Sequence, residues 1–106
     1  MEDTISTAEL HHRLDKITIV DIRKNPDEEQ IPGSIRYDGT ALGHATSPPF
    51  ERGQEVVVYC GSGNTCRRVA QDLRRRGIEA RALDGGYSAW RQDGYETEPI
   101  SPQREL

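Results

Sequence analysis

Between residues 55 and 77 the chain switches periodicity across one short loop, and this constrains the fold more than any other feature. Glu55-Val56-Val57-Val58-Tyr59 is a run of β-branched and aromatic residues, the pattern of a strand buried on both faces. It leads directly into Cys60-Gly61-Ser62-Gly63-Asn64-Thr65-Cys66. From there Cys66, Val69, Ala70 and Leu73 recur at the i, i+3, i+4, i+7 spacing of a helix with one buried stripe. Arg67, Arg68, Gln71, Asp72, Arg74 and Arg75 fill its other face, and Gly77 supplies the stop. A strand, a glycine loop and a helix in succession are the repeating unit of a parallel α/β sheet.

The flanking sequence extends this unit on both sides. Ser6 and Glu9 form a capping box, with Ile5 and Leu10 as its hydrophobic staple, so a helix is predicted from about Thr7 to Asp15. Ile17-Thr18-Ile19-Val20 reads as a second buried strand, ending in Asp21-Ile22-Arg23. Asn25-Pro26 marks a turn, and Ile31-Pro32-Gly33-Ser34-Ile35 a turn into a short strand over 35–37. Residues 38–53 hold three glycines and two prolines and are expected to form a long irregular loop rimming a site. Glu79–Leu83 is a last short strand, and Gly85-Gly86 opens a helix containing Tyr87, Ala89 and Trp90. A single domain with its core over about residues 5–93 is expected, and residues 94–106 are expected to be a loosely ordered tail.

Composition narrows the function classes. At 106 residues, 33% apolar and 30% charged, the chain suffices for one domain with a small core. A net charge of −4 argues against nucleic-acid or membrane-surface binding, which need a basic excess. No run approaches the ~20 apolar residues of a membrane span, and Met1-Glu2-Asp3-Thr4 lacks a signal core, so a cytoplasmic protein is expected. Two cysteines make neither a disulfide scaffold nor a zinc site, and neither metal nor cofactor is expected.

Cys60 is the candidate nucleophile. It follows a buried strand and precedes a helix N-terminus, where unpaired N–H groups and a partial positive charge favour an anion. Gly61, Ser62 and Gly63 are small enough for the backbone to curl around the sulfur with its amides turned inward. Such a nest depresses a thiol pKa, and Arg67 and Arg68 add positive charge. The competing reading is that Cys60 is a small buried hydrophobe. Cys66 has two readings as well. It is the first residue of the helix stripe, or a resolving thiol that attacks a persulfide or sulfenic acid on Cys60. No histidine lies near in sequence, although His44 falls in the expected rim loop, so a Cys–His dyad has no local support. Arg74-Arg75-Arg76 suits the C-terminal end of a helix.

Taken in order, Val20-Asp21-Ile22-Arg23, Ile31-Pro32-Gly33-Ser34-Ile35, Val57-Val58-Tyr59-Cys60 with its loop, and Leu83-Asp84-Gly85-Gly86-Tyr87 with Trp90 resemble a rhodanese domain from Ser6 to about Trp90. The resemblance implies a three-layer α/β fold with about five mainly parallel strands flanked by helices. It implies sulfur transfer through a persulfide on Cys60, from a donor such as thiosulfate to a thiol or cyanide acceptor, with a protein persulfide among the candidate partners. By position, Gly61, Ser62, Gly63, Asn64, Thr65, Cys66 and Arg67 would bind the substrate. Asp21 and Arg23 would brace the sheet edge, while Gly85, Gly86 and Trp90 would be structural. Three positions depart from the family pattern. Gly61 stands where thiosulfate-using members often have arginine, and the loop is closer to that of mercaptopyruvate sulfurtransferases. Glu29-Gln30 replace a common Gly-His, and Cys66 replaces a small residue. Two other functions compete. One is a non-catalytic binding or redox-sensing module using Cys60 and Cys66. The other is phosphatase or arsenate-reductase chemistry, which uses an arginine six residues after the cysteine, where this chain has Cys66.

Overall fold

In the computed structural model, which describes residues 3–44 and 49–100, the valine run lies at the centre of a five-stranded sheet. In chain order the elements are β1 (Thr4–Ile5), α1 (Thr7–His12), β2 (Thr18–Asp21), β3 (Glu29–Gln30), β4 (Ile35–Arg36), α2 (Gly39–His44), β5 (Glu55–Tyr59), α3 (Thr65–Arg75), β6 (Glu79–Leu83), α4 (Gly86–Gln92) and β7 (Glu98–Pro99). The sheet order is β1-β6-β5-β2-β4, with parallel pairing throughout.

Alternation along β5 divides the core in two. Val56, Val58 and Cys60 pack with Leu42 of α2 and with the α3 stripe of Cys66, Val69, Ala70 and Leu73. Val57 and Tyr59 face the opposite layer, with Leu10 of α1 and Tyr87 and Trp90 of α4. No buried side-chain nitrogen or oxygen lacks a partner among the described residues. Cys60 therefore leaves the carboxyl end of the middle strand, where parallel sheets present their ligands.

Several elements differ from the sequence reading. α1 stops at His12 rather than Asp15, and only half of the capping box forms. The Ser6 hydroxyl accepts the Glu9 amide at 3.1 Å, while the Glu9 carboxylate turns to Arg13 and Arg81. The expected irregular loop contains α2, started by Asp38, whose carboxylate accepts the amides of Thr40 at 2.9 Å and Ala41 at 3.2 Å. Residues 45–48 of that loop lie outside the described residues, as does the His44 side chain. The tail is ordered through Ile100. β7 pairs antiparallel with β3, the Ile100 amide donates to the Glu28 carbonyl at 3.0 Å, and Tyr95 packs at a tilt against Trp90. Apolar contact with a buried tryptophan and a short ladder offset the entropy of ordering this segment. Residues 101–106 lie outside the described residues.

Candidate active site

The loop from Cys60 to Cys66 is shaped by what its carbonyls bond. The α4 N-terminus presents the Tyr87 amide to the Cys60 carbonyl at 2.8 Å and the Ser88 amide to the Gly61 carbonyl at 3.0 Å. These bonds draw the carbonyls toward α4 and leave the loop amides facing inward. The Gly63 amide donates to the Cys60 sulfur at 3.2 Å, and the amides of Ser62 and Cys66 reach the same sulfur. Gly86 makes this docking possible. Its φ of 63° is left-handed, and a Cβ there would lie 2.7–2.8 Å from the Cys60 carbonyl, the Gly63 amide and the Gly61 carbonyl. Gly61 is different, because a Cβ there meets nothing within 4 Å.

Cys66 closes the nest. Its side chain is fully buried in the α3 stripe, and its thiol lies near enough to the Cys60 sulfur to act on that group's pKa. Of the two sequence readings, the structure carries the first: Cys66 is a core residue of the helix stripe, at the inner edge of the Cys60 loop. Both cysteines are free thiols. The Cys66 hydrogen bond is the largest influence lowering the Cys60 pKa. Burial opposes it, the amides of Cys66, Gly63 and Ser62 add to it, and the value falls to about 5. The proton stays on Cys66, whose pKa is driven well above the usual thiol range by donation to Cys60 and by burial.

A cleft of about 1000 Å³ opens over the sulfur. Cys60, Gly61, Ser62 and Thr65 line one wall. Ile22 to Asn25 and Arg36 to Thr40, from the carboxyl ends of β2 and β4, line the other. Asp21 is fully buried beneath that wall. Its carboxylate holds Arg23 at 2.8 Å and Arg36 at 3.0 Å, and Arg23 also donates to the Glu29 carbonyl at 2.7 Å and stacks 3.9 Å over the Tyr87 ring. Burial works against the Arg23 charge, but bonding to Asp21 outweighs it and holds Arg23 firmly protonated. Tyr59, the residue before Cys60, is fixed by its hydroxyl, which accepts the Ile31 amide at 3.2 Å and bonds Ser34 at 2.9 Å. The Ile31–Ser34 turn is thereby pinned to the strand that carries the cysteine.

Two of the expected substrate-binding residues lie elsewhere. Asn64 and Arg67 line a second, smaller groove with Asp3, Thr4 and Arg68, and exposed Arg67 pairs with Asp84 at 3.5 Å. The helix phase explains this: with Cys66 facing the core, its neighbours turn about 100° or more away. Arg67, the arginine next after the loop, therefore points away from it. Gly85 caps α4 with φ 76°, and Trp90 is fully buried, its indole donating to the Glu96 carbonyl at 2.9 Å. The sequence reading missed Lys24, Arg36 and Tyr37 on the far wall, whereas Asp38, Gly39 and Thr40 belong to the stretch expected to rim a site. Arg36 lies beside Asp21 only through the register of β4 on β2, which no local pattern announces. Among the described residues no cluster of histidine, cysteine or carboxylate side chains suits a metal, and no helix is long and apolar enough to cross a membrane.

A family model for the rhodanese-like domain matches residues 6–93. The chain is 30% identical over 88 residues to the adenylyltransferase and sulfurtransferase UBA4 of Yarrowia lipolytica, a match covering 80% of this chain and 22% of that protein. It thus spans about a fifth of that relative's length. Among solved structures, a rhodanese-related protein of Thermoplasma volcanium superposes with a TM-score of 0.80 at 24% identity, covering 92% of this chain and 98% of that one. A thiosulfate sulfurtransferase of Pseudomonas aeruginosa superposes with a TM-score of 0.75 at 28% identity, covering 93% of this chain and 20% of that one.

Proposed function

This chain belongs to the rhodanese-like domain family, and from that premise we propose that it is a sulfurtransferase that carries sulfane sulfur as a persulfide on Cys60. The family and its sulfurtransferase relatives support sulfur transfer in general. The observation that carries the finer reading is the environment of the Cys60 sulfur, at the floor of an open cleft with the Gly63 amide donating to it, an environment that lowers the thiol pKa to about 5.

The reaction follows from that environment. The Cys60 thiolate attacks the outer sulfur of a donor such as thiosulfate. A new S–S bond forms, the donor's S–S bond breaks, and sulfite leaves with the electron pair. The terminal persulfide sulfur is again an anion, and the same amides stabilise it as they stabilised the thiolate. An acceptor thiolate or cyanide then attacks that terminal sulfur, and Cys60 departs as the thiolate it was before. Because the loop donors are backbone groups held by α4, they need little reorganisation between the two half-reactions. Asp21 and Arg23 act as bracing, Gly85, Gly86 and Trp90 as scaffold.

Intact-mass measurement tests this reading. Wild-type protein incubated with thiosulfate gains the mass of one sulfur atom, loses it on adding cyanide, and yields thiocyanate. Cys60→Ala does none of these. A wild-type protein that gains no sulfur from thiosulfate, mercaptopyruvate or a glutathione persulfide is instead a binding module. Hydrolysis of a generic aryl phosphate would move the assignment to phosphate chemistry.

A further inference from the structure

The cleft wall facing Cys60 carries four charged side chains, and three of them are engaged within the protein. Arg23 and Arg36 are held by the buried Asp21 carboxylate at 2.8 and 3.0 Å. The Asp38 carboxylate accepts the amides that begin α2. Lys24 is the fourth. It is exposed, lines the cleft, and forms no ion pair among the described residues. On the near wall Gly61 offers no side chain, and the space its Cβ would enter is open.

We propose that Lys24 determines donor specificity: its ammonium recognises the negative charge of an anionic sulfur donor in the cleft over Cys60. The proposal rests on the sulfur-transfer reading and adds the class of donor. The physical need is plain. A nucleophile that is itself an anion, in a protein of net charge −4, repels an incoming anion unless a cation stands near the approach. Lys24 is free to move toward such a ligand because no described residue holds its ammonium in an ion pair. Its long stem lets one residue serve donors of different length, whether the charge belongs to a thiosulfate oxyanion or to the carboxylate of a mercapto acid.

Alkylation of Cys60 by two reagents of equal reach tests the charge alone. Iodoacetate is anionic and iodoacetamide neutral, and neither requires sulfur transfer. In Lys24→Met the iodoacetate rate, followed as the Cys60 adduct by mass, is expected to fall about threefold to fivefold while the iodoacetamide rate stays level, and in Lys24→Glu to fall further. Lys16→Met is the control, since Lys16 precedes the opposite end of β2 and is the only other lysine. Steady-state KM values then separate the donors. A rise with thiosulfate alone points to oxyanion donors, and a rise with mercaptopyruvate alone to carboxylate donors. An iodoacetate to iodoacetamide ratio equal in wild type and both Lys24 variants overturns the proposal. If the ratio shifts but no donor loads wild-type Cys60, the anion site stands and the sulfur-transfer reading falls.

Discussion

The sulfur of Cys60 is largely enclosed, and enclosure alone disfavours a thiolate. Donors aimed at the sulfur reverse that preference, and the foremost is the thiol of Cys66. Two outcomes follow at this scale. Alkylation of Cys60 by iodoacetamide should be level from neutral pH down to about one unit above the thiolate pKa and fall through a half-point near 5. Cys66→Ala should move that half-point upward, toward the free-thiol value of about 8.5, by at least about one unit. Cys66→Ser keeps a donor at the same place and should restore most of the depression. A half-point unchanged in Cys66→Ala would show that the amides suffice without the thiol. The same depression links to stability. The folded state binds fewer protons at Cys60 than the unfolded chain, so this group adds stability above the ordinary thiol pKa and loses it as pH falls through about 5.

Helix α4 and the cysteine loop behave as one element, because the helix N-terminus takes the loop carbonyls and so orients the loop amides. Two glycine substitutions separate this from mere flexibility. Gly86→Ala places a methyl against three backbone atoms at a left-handed φ, and should cost more than about 2 kcal/mol in urea unfolding. Any folded fraction should show a raised Cys60 half-point. Gly61→Ala should change stability by less than about 0.5 kcal/mol, since its Cβ meets nothing. Equal costs at the two positions would contradict the docking argument. This scale also marks where the sequence was readable. β5, its loop and α3 were legible because the apolar period changes from continuous to helical within seven residues, Cys60 to Cys66. The inward stripe beginning at Cys66 already implied that Arg67 turns away, yet loop position alone had grouped it with the site. α2 was hidden by the glycines at its first and fifth residues, Gly39 and Gly43. β1, β3 and β7 have two residues each, too few for any period to show.

Across the whole molecule, the far wall of the cleft depends on the chain's C-terminal segment, a dependence no local pattern announces. β7 lies on β3, the Glu98 carboxylate accepts from the Gln30 side chain at 2.7 Å and the Gly33 amide at 3.2 Å, and the Thr97 hydroxyl donates to the Glu29 carboxylate. Glu29 in turn offers its carbonyl to Arg23 beneath the cleft. At the segment's other end Tyr95 covers Trp90, the largest fully buried side chain. A chain ending at Gly94, compared with one ending at Ile100, isolates this clasp. The shorter chain uncovers Trp90 and removes the ladder, so its urea stability should fall by about 2–4 kcal/mol. The loop amides are held by α4, which both chains retain, so the Cys60 alkylation half-point should remain near 5 wherever the shorter chain is folded. Under the proposed sulfur transfer the thiosulfate KM should rise, because the Arg23 turn loses its anchor while the Cys60 loop does not. An unchanged urea midpoint would mean that the segment rests on the surface without stabilising it. A lost alkylation half-point would mean that the wall and the Cys60 loop are not separable, and that the sheet holds both through one cooperative core.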